Sequence, residues 1–387
     1  MDVLALEPYY GGSHKAFLEG WGRRSRHRWV VLSLPAHKWK WRMRHAAITF
    51  ADQVGARVEK GFRWDVLFCS DMLNLAEFLG LAPASVARLP RVAYFHENQL
   101  TYPVRHEDER DFQFAITNLT TALAATSVWF NSAYHRDSFL TALRSLVVRM
   151  PDYQPLDALQ RIGEKGRIAP PGIDGFPPRG TRVPGPLRIL WAGRWEHDKN
   201  PEAFFRALGI LKSKGLSFRL SVIGERFRES PSVFEEARGA FASEIDTWGF
   251  QDSPEEYRAT LTRADVAVST ALHEFFGIGM VEAAAAGAYP LLPRRLSYPE
   301  IFGTIGCDDP IGHFYDGTEE DLTVKLERLL ERCEKGDLWA GDPTRVSREM
   351  DRYRWDVLVP ELDAALEAVG GTASGPLSPP EGLGSPE

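Results

Sequence analysis

Cysteine is scarce in this chain: its 387 residues include three, Cys69, Cys307 and Cys333. None pairs at the close spacing of a zinc knuckle, and three thiols make no disulfide framework, so a reducing compartment is expected. No uncharged apolar run approaches the roughly 20 residues that a bilayer crossing needs. The start, Met1-Asp-Val-Leu-Ala-Leu-Glu-Pro8, has no basic segment leading into an apolar one, so no signal peptide is expected. Together these predict a soluble, cytoplasmic protein. A general excess of positive charge is also missing. The formal net charge is −7, which argues against a generic nucleic-acid binder. Locally the balance reverses. From Gly20 to Ala51 there is no acidic residue, whereas Arg23, Arg24, Arg26, Arg28, Lys38, Lys40, Arg42 and Arg44 are basic. Such a field can steer an anionic partner even on an acidic protein.

What is present is globular: 44% hydrophobic and 26% charged residues, in a length that suits two domains of about 150 to 200 residues each. Short apolar runs recur at Val3–Leu6, Trp29–Leu34, Asp65–Phe68, Val92–Phe95 and Val128–Phe130. A second series lies at Leu187–Trp191, Phe218–Ile223, Val266–Ser269 and Tyr289–Leu292, with helices predicted over Pro201–Lys214, Glu255–Ala264 and Gly279–Ala286. Buried strands alternating with helices predict an α/β fold of two doubly wound, Rossmann-like parallel sheets facing across a cleft. The proline- and glycine-rich stretch Ala169–Pro186 is expected to link residues 1–168 to residues 187–350. Asp321–Cys333 and Trp355–Val369 read as helices, and the helix over 351–369 has the option of crossing back to the first domain. Gly370–Glu387 is expected to be a disordered tail. Ligands of such sheets bind beyond the carboxyl ends of the strands, so loops after strands are where chemistry is sought.

In the second half, Glu274-Phe-Phe-Gly-Ile-Gly-Met-Val-Glu282 follows a predicted strand. Eight residues along one helix would leave its two carboxylates about 80° apart. The better reading puts Glu274 in the loop and Glu282 inside the next helix. The glycines then let a ligand approach, and the helix start offers N–H groups to a phosphate. One carboxylate would hold sugar hydroxyls and the other a ribose; the plainer alternative is a helix start with two solvated glutamates. Gly193-Arg-Trp-Glu-His-Asp-Lys-Asn-Pro201 follows another strand, with Asn200 and Pro201 placed to open a helix. There Arg194 and Lys199 can converge on a diphosphate, or be a solvated basic loop. Ile223-Gly224-Glu225 ends a third strand.

In the first half, the loop Glu7-Pro-Tyr-Tyr-Gly-Gly-Ser-His-Lys15 brings Gly12, Ser13 and His14 to the end of the first strand. Its glycine order is not the dinucleotide fingerprint, which disfavours an NAD enzyme. His96-Glu-Asn-Gln-Leu-Thr-Tyr-Pro103 ends the Val92–Phe95 strand with a dense polar cluster, His96, Glu97, Asn98 and Gln99 followed by Tyr102, and Asn131 ends the next strand likewise. His96 is the candidate to bond or polarise the reacting groups. His37-Lys-Trp-Lys-Trp-Arg-Met-Arg-His45 alternates basic and aromatic residues. Lys38, Lys40, Arg42 and Arg44 suit phosphates, and Trp39 and Trp41 suit unpaired bases. The alternative is an amphipathic element with Trp39, Trp41 and Met43 packed inward.

The Gly-Arg…Lys loop, the Ile-Gly loop and the Glu-x7-Glu spacing together resemble the C-terminal domain of retaining GT-B glycosyltransferases of family 4. The motifs Glu7–Lys15, Leu34–Arg42, His96–Val104 and Glu109–Phe114 resemble the tRNA-queuosine α-mannosyltransferase family over residues 1 to about 155. The resemblance implies that Arg194 and Lys199 bind the donor diphosphate, Glu274 the transferred sugar and Glu282 the ribose. Gly12, Gly224, Phe276, Gly277 and Ile278 would line the donor site. His96 and Glu274 would be the catalytic pair, with no general base assigned. It further implies GDP-mannose as donor and the cyclopentenediol of queuosine, at the wobble position of aspartate tRNA, as acceptor. Ser13, His14, the Lys38–Arg44 stretch, Glu97, Asn98, Gln99, Tyr102 and Asn131 would meet that acceptor. No bound metal and no membrane are implied, and Asp308-Asp309 then reads as a surface turn. A GT-B transferase acting on a lipid, glycan or small metabolite, and a non-catalytic RNA- or nucleotide-sugar-binding module, are the other classes.

Overall fold

Strand segments of this chain are apolar on both faces, and burying both faces needs helices on each side. In the computed structural model, which describes residues 1–103, 111–227, 230–303 and 313–371, they form two parallel sheets. The first contains β1 (Asp2–Tyr10), β2 (Arg28–Pro35), β3 (Val66–Ser70), β4 (Arg91–Phe95), β5 (Ser127–Phe130) and β6 (Gly166–Ile168), ordered β2-β1-β3-β4-β5-β6. The second contains β7 (Leu187–Ala192), β8 (Phe218–Ile223), β9 (Ile245–Gly249), β10 (Val266–Val268), β11 (Tyr289–Pro293) and β12 (Phe314–Tyr315), ordered β12-β11-β10-β7-β8-β9. Helices α1 (Gly12–Gly22), α2 (Trp39–Glu59), α3 (Leu75–Leu81), α4 (Ala84–Ala87), α5 (Phe112–Ala124), α6 (Ala133–Val147) and α7 (Leu156–Glu164) go with the first sheet. The remaining helices are α8 (Pro201–Ser213), α9 (Val233–Ala240), α10 (Pro254–Arg263), α11 (Ile278–Ala285), α12 (Tyr298–Phe302), α13 (Glu319–Glu334), α14 (Arg345–Met350) and α15 (Trp355–Gly371).

Alternation along β1 shows the double burial. Leu4 and Leu6 enter a core with Phe50 and Phe78, while Val3 and Ala5 enter one with Phe17 and Trp21. The α/β, doubly wound class expected from the sequence is therefore the one observed. The three strands β6, β9 and β12 were not legible in the sequence. All three lie at sheet edges beside a partner on one side only, β12 has two residues, and β9 is only partly buried. Such strands carry no continuous apolar run.

The order of each sheet fixes where a ligand belongs. β1 leads outward to β2 and the chain then returns to β3 on the other side; β7 leads to β8 and β9, and the chain returns to β10. Each reversal leaves a crevice beyond two carboxyl ends, after β1 and β3 in one sheet and after β7 and β10 in the other.

Residues 169–186 are tied down rather than free. Ile173 bridges to Arg354 in parallel, and Arg179 and Arg182 bond the fully buried carboxylate of Asp265. Asn200 precedes Pro201 as the sequence suggests, but with φ 48° and no side-chain bond to the helix. Its left-handed backbone, not its amide, makes the entry into α8. α15 packs Leu358, Leu362 and Leu366 into the core that holds Val3 and Phe17. It runs to Gly371, so Gly370 and Gly371 belong to it; residues 372–387, like Cys307, Asp308 and Asp309, lie outside the described residues. Among the described residues, no helix is long and apolar enough to cross a membrane.

Candidate functional site

At the second sheet's reversal, the loops after β7 and β10 meet. Lys199 Nζ donates to the His273 carbonyl at 2.8 Å and to Glu274 Oε2 at 3.3 Å, and lies 3.0 Å from Asp198 Oδ2. Burial opposes charge on both partners, yet Lys199, His273 and Arg194 hold Glu274 below the usual carboxylate range. Glu274 and Asp198 in turn raise Lys199. Both therefore stay ionised in a recess lined by Gly193, Lys199, Glu274, Gly277, Gly279 and Tyr298. Asp198, which the sequence reading left aside, is the acid that with Glu274 neutralises Lys199.

The glycines are needed by geometry. At Gly224 (φ 151°) a Cβ would stand 1.8 Å from the Gly193 carbonyl, so only glycine lets β8 pass the Arg194 loop. Gly277 (φ 83°) precedes α11, and a Cβ there would meet the Tyr298 ring at 2.7 Å. Beside it Phe276 is buried in the core and Ile278 starts the helix, so Phe276 supports the recess from behind. Tyr257 on α10 donates to Glu282 Oε2 at 2.6 Å, fixing that carboxylate on α11, and burial raises its pKa.

Arg194 is half exposed. It donates to the Tyr102 hydroxyl at 2.9 Å and pairs with Glu196 at 3.2 Å. Tyr102 was expected to face an acceptor; instead it reaches across to Arg194, and its ring meets His273 at 5.3 Å. That contact brings the His96 loop to the loops of the second sheet.

At the first sheet's reversal a buried cluster forms. The fully buried Glu7 accepts from Ser70 Oγ and from the Tyr9 amide through Oε1, and its Oε2 lies 3.2 Å from His14 Nδ1. The His14 ring stacks on His96 with centroids 3.9 Å apart. Asp71, after β3, accepts from the His96 amide at 2.9 Å. Burial works against charge on His14, but Glu7 and Asp71 outweigh it and push its pKa up to about 9. Burial and the neighbouring His14 hold His96 well below the usual histidine range, so it stays neutral. Glu7, His14 and His96 form the one group among the described residues with the spacing of a metal site. Face-to-face imidazoles send their in-plane lone pairs side by side rather than toward one ion, so a stack suits this geometry better.

Several expectations for the acceptor side need correcting. His14 is 6% exposed and serves His96 from behind rather than facing solvent. Asn98 is fully buried, its Oδ1 accepting from the amides of Leu100 and Thr101, so it shapes the loop. Asn131 is buried with both amide ends bonded inside the protein. Gln99 donates to Glu97 at 3.1 Å, and both remain partly exposed in the loop, while Gly12 and Ser13 are exposed at the start of α1. Along the basic stretch, α2 splits the pattern: Met43 is buried, Trp39 packs on Phe114, and Trp41 is 60% exposed with its ring 5.0 Å from His45. Lys38 and Lys40 are exposed, Arg44 lies over the Phe114 ring at 4.6 Å, and Arg42 is held by the Pro35 carbonyl and His45. Glu7, Asp71, Tyr257 and His135 were missed. Glu7 and Asp71 each offered a signal, an acid at the carboxyl end of a strand.

Known proteins give the arrangement a context. Residues 2–173 match the family described as tRNA-queuosine alpha-mannosyltransferase N-terminal, and residues 164–295 match family 4 glycosyltransferases in conflict systems. Sucrose-phosphate synthase from Thermosynechococcus elongatus superposes with a TM-score of 0.72 at 13% identity, over 96% of this chain and 100% of that one. Anabaena HepE in complex with UDP and glucose gives 0.65 at 13% identity, over 95% and 100%. These likenesses establish the GT-B fold. A GDP-mannose-dependent alpha-(1-6)-phosphatidylinositol dimannoside mannosyltransferase of Mycobacterium tuberculosis is 29% identical over 46% of this chain and 48% of its own length. The tRNA-queuosine alpha-mannosyltransferase of Drosophila melanogaster is 38% identical over 84% of this chain and 85% of its own length. With its recess residues set at the reversal points of a GT-B fold, the chain is a glycosyltransferase and belongs to the tRNA-queuosine alpha-mannosyltransferase family.

Proposed function

We propose that this enzyme moves mannose, with retention of configuration, from GDP-mannose to the cyclopentenediol of queuosine at the wobble position of aspartate tRNA, and that it works in the cytoplasm. The observation that carries the reading is the ionised Lys199–Glu274 pair at one reversal point, joined through Tyr102 to the loop of neutral His96 at the other.

Charge develops on the departing diphosphate, where preorganised cations act most strongly. Arg194, Lys199 and the start of α11 surround that position, and no metal is needed to offset the charge. For the diphosphate to bind, Arg194 leaves Tyr102, and Lys199 exchanges part of its contact with Glu274 for phosphate oxygens. Glu274, released from part of its pairing, takes sugar hydroxyls, and Glu282, oriented by Tyr257, takes the ribose. His96, neutral, offers one hydrogen bond to the sugar from the opposite wall. Lys38 at the N-cap of α2 and Lys40, Trp41 and Arg44 on its first turns form the face for the anticodon stem-loop, with Trp41 stacking on a base.

Incubation with GDP-mannose and queuosine-containing tRNA, followed by nucleoside mass spectrometry, is the direct test. One added hexose on queuosine is expected. No mass gain with GDP-mannose, UDP-glucose and UDP-galactose each supplied would overturn the reading, and a gain from another donor alone would overturn the mannose part.

A further inference from the structure

The segment 131–135, which leads into the first turn of α6, touches the backbone of His96 on one side and the segment that carries Glu274 on the other. Asn131 Nδ2 donates to the His96 carbonyl at 2.9 Å. A carbonyl only accepts, so the amide orientation is fixed, and Asn131 Oδ1 must be the acceptor for His135 Nδ1 at 2.9 Å. His135 is therefore protonated at Nδ1, and burial together with His273 keeps the ring neutral. That ring is fully buried and lies flat on Phe275, with centroids 3.9 Å apart and planes 22° from parallel. Phe275 directly follows Glu274. Its carbonyl accepts from Ser132 Oγ at 2.5 Å, and Ser132 Oγ itself accepts from the His135 amide at 3.0 Å. Glu300 on α12 closes the joint by accepting from the amides of Ala133 and Tyr134, at 2.8 and 2.9 Å.

We propose that Asn131 and His135 are positioning residues: through the His96 carbonyl and the Phe275 ring they set the separation of His96 and Glu274 across the cleft. The proposal rests on the reading that those two side chains face the transferred sugar. His96 and Glu274 belong to different sheets, and small relative shifts of two sheets change a cleft by an ångström or more. A misplacement of that size costs about 100-fold in rate. A short hydrogen-bonded path ending in a flat ring stack resists it, because the ring cannot slide without opening the Asn131 bond.

The test uses the full chain with variants that separate the two contacts. His135→Phe keeps the stack and removes the Nδ1 donor; His135→Asn keeps a donor at that position and removes the stack; Asn131→Ala removes both bonds. The expected result for His135→Phe and Asn131→Ala is a fall of about 100-fold in kcat, with GDP affinity, measured by calorimetry, unchanged. His135→Asn loses turnover similarly, because either half of the path is required. The fold-loss of the His135→Phe/His96→Ala double variant is expected to be smaller than the product of the two single losses, as it is for residues acting through one another. Should Asn131→Ala fail to fold, the two His135 variants decide alone. Folded His135 variants with unchanged kcat and only a lower melting temperature would overturn the proposal. If His96→Ala and Glu274→Gln themselves keep turnover, the sugar-facing reading fails, and the proposal with it. If those two lose turnover while the His135 variants keep it, the positioning role alone fails.

Discussion

The two reversal points handle charge in opposite ways. At the second sheet, Lys199 and Glu274 remain ionised, with Asp198 also against the ammonium, beside an open recess. At the first, Glu7, Asp71, His14 and His96 are packed behind one another, with a cation stacked on a neutral ring. One arrangement can exchange internal ion pairs for a ligand's phosphates; the other holds a single uncharged imidazole in place. A shared fold therefore supplies one wall that binds charge and one that orients without it.

That contrast can be broken by experiment. The largest effect is expected from Glu274→Gln or Lys199→Ala, each lowering turnover about 1000-fold, as removal of a preorganised charge does; single-turnover kinetics with GDP-mannose checks it. A Glu274→Gln enzyme near normal speed would make the pair structural. Next, Arg194→Ala should weaken GDP binding roughly 10- to 100-fold by calorimetry, the worth of hydrogen bonds to a charged group, while leaving tRNA binding untouched. The converse is expected on the other side. Trp41→Ala should weaken tRNA binding about tenfold, and Arg44→Ala should lower the salt slope by about one unit, neither changing GDP affinity. If tRNA affinity does not move, α2 is not the RNA face.

The smallest effect concerns pH. His14 is raised from 6.5 to about 9 in the folded protein. A base whose folded pKa is raised contributes stability that is complete below pH 6.5 and is lost as pH rises through 9. Urea midpoints should therefore fall over that window, and His14→Gln should flatten the fall. Glu7, Asp71 and Glu97 are the acids that act on this ring, and burial raises Asp71 to about 8, so its ionisation adds to the fall below that pH and His14→Gln removes only the imidazole's share.

What could be read from the sequence follows the same contrast. Arg194, Lys199, Glu274 and Glu282 sit in short segments next to β7 and β10, and Lys199 and Glu274 do meet in the recess. Local spacing sufficed there because glycines with a required conformation, Gly224 and Gly277, mark the loops. The polar residues of the first half were harder. His14, Asn98 and Asn131 read as exposed ligands because each follows a strand, yet their partners Glu7, Leu100 and His135 turn them inward. Burial of a polar side chain depends on a partner brought by folding, and no periodicity reveals it. The alternating Lys38–Arg44 stretch was ambiguous because period two and period 3.6 agree over so few residues; α2 sends Met43 in and Trp41 out.

The last helix has a consequence for how the protein is made. α15 lays Trp355, Leu358, Leu362 and Leu366 against Phe17 and Trp21, and its buried Asp363 accepts from Trp21 Nε1, Ser25 Oγ and the Arg26 amide. During synthesis from the N-terminus, that face of the first sheet stays uncovered until some 340 further residues have left the ribosome, Trp21 and Asp363 being 342 apart. The first sheet to be translated is thus the last to be closed, and the aromatic side chains around Trp21 are the surface that a nascent-chain chaperone would meet.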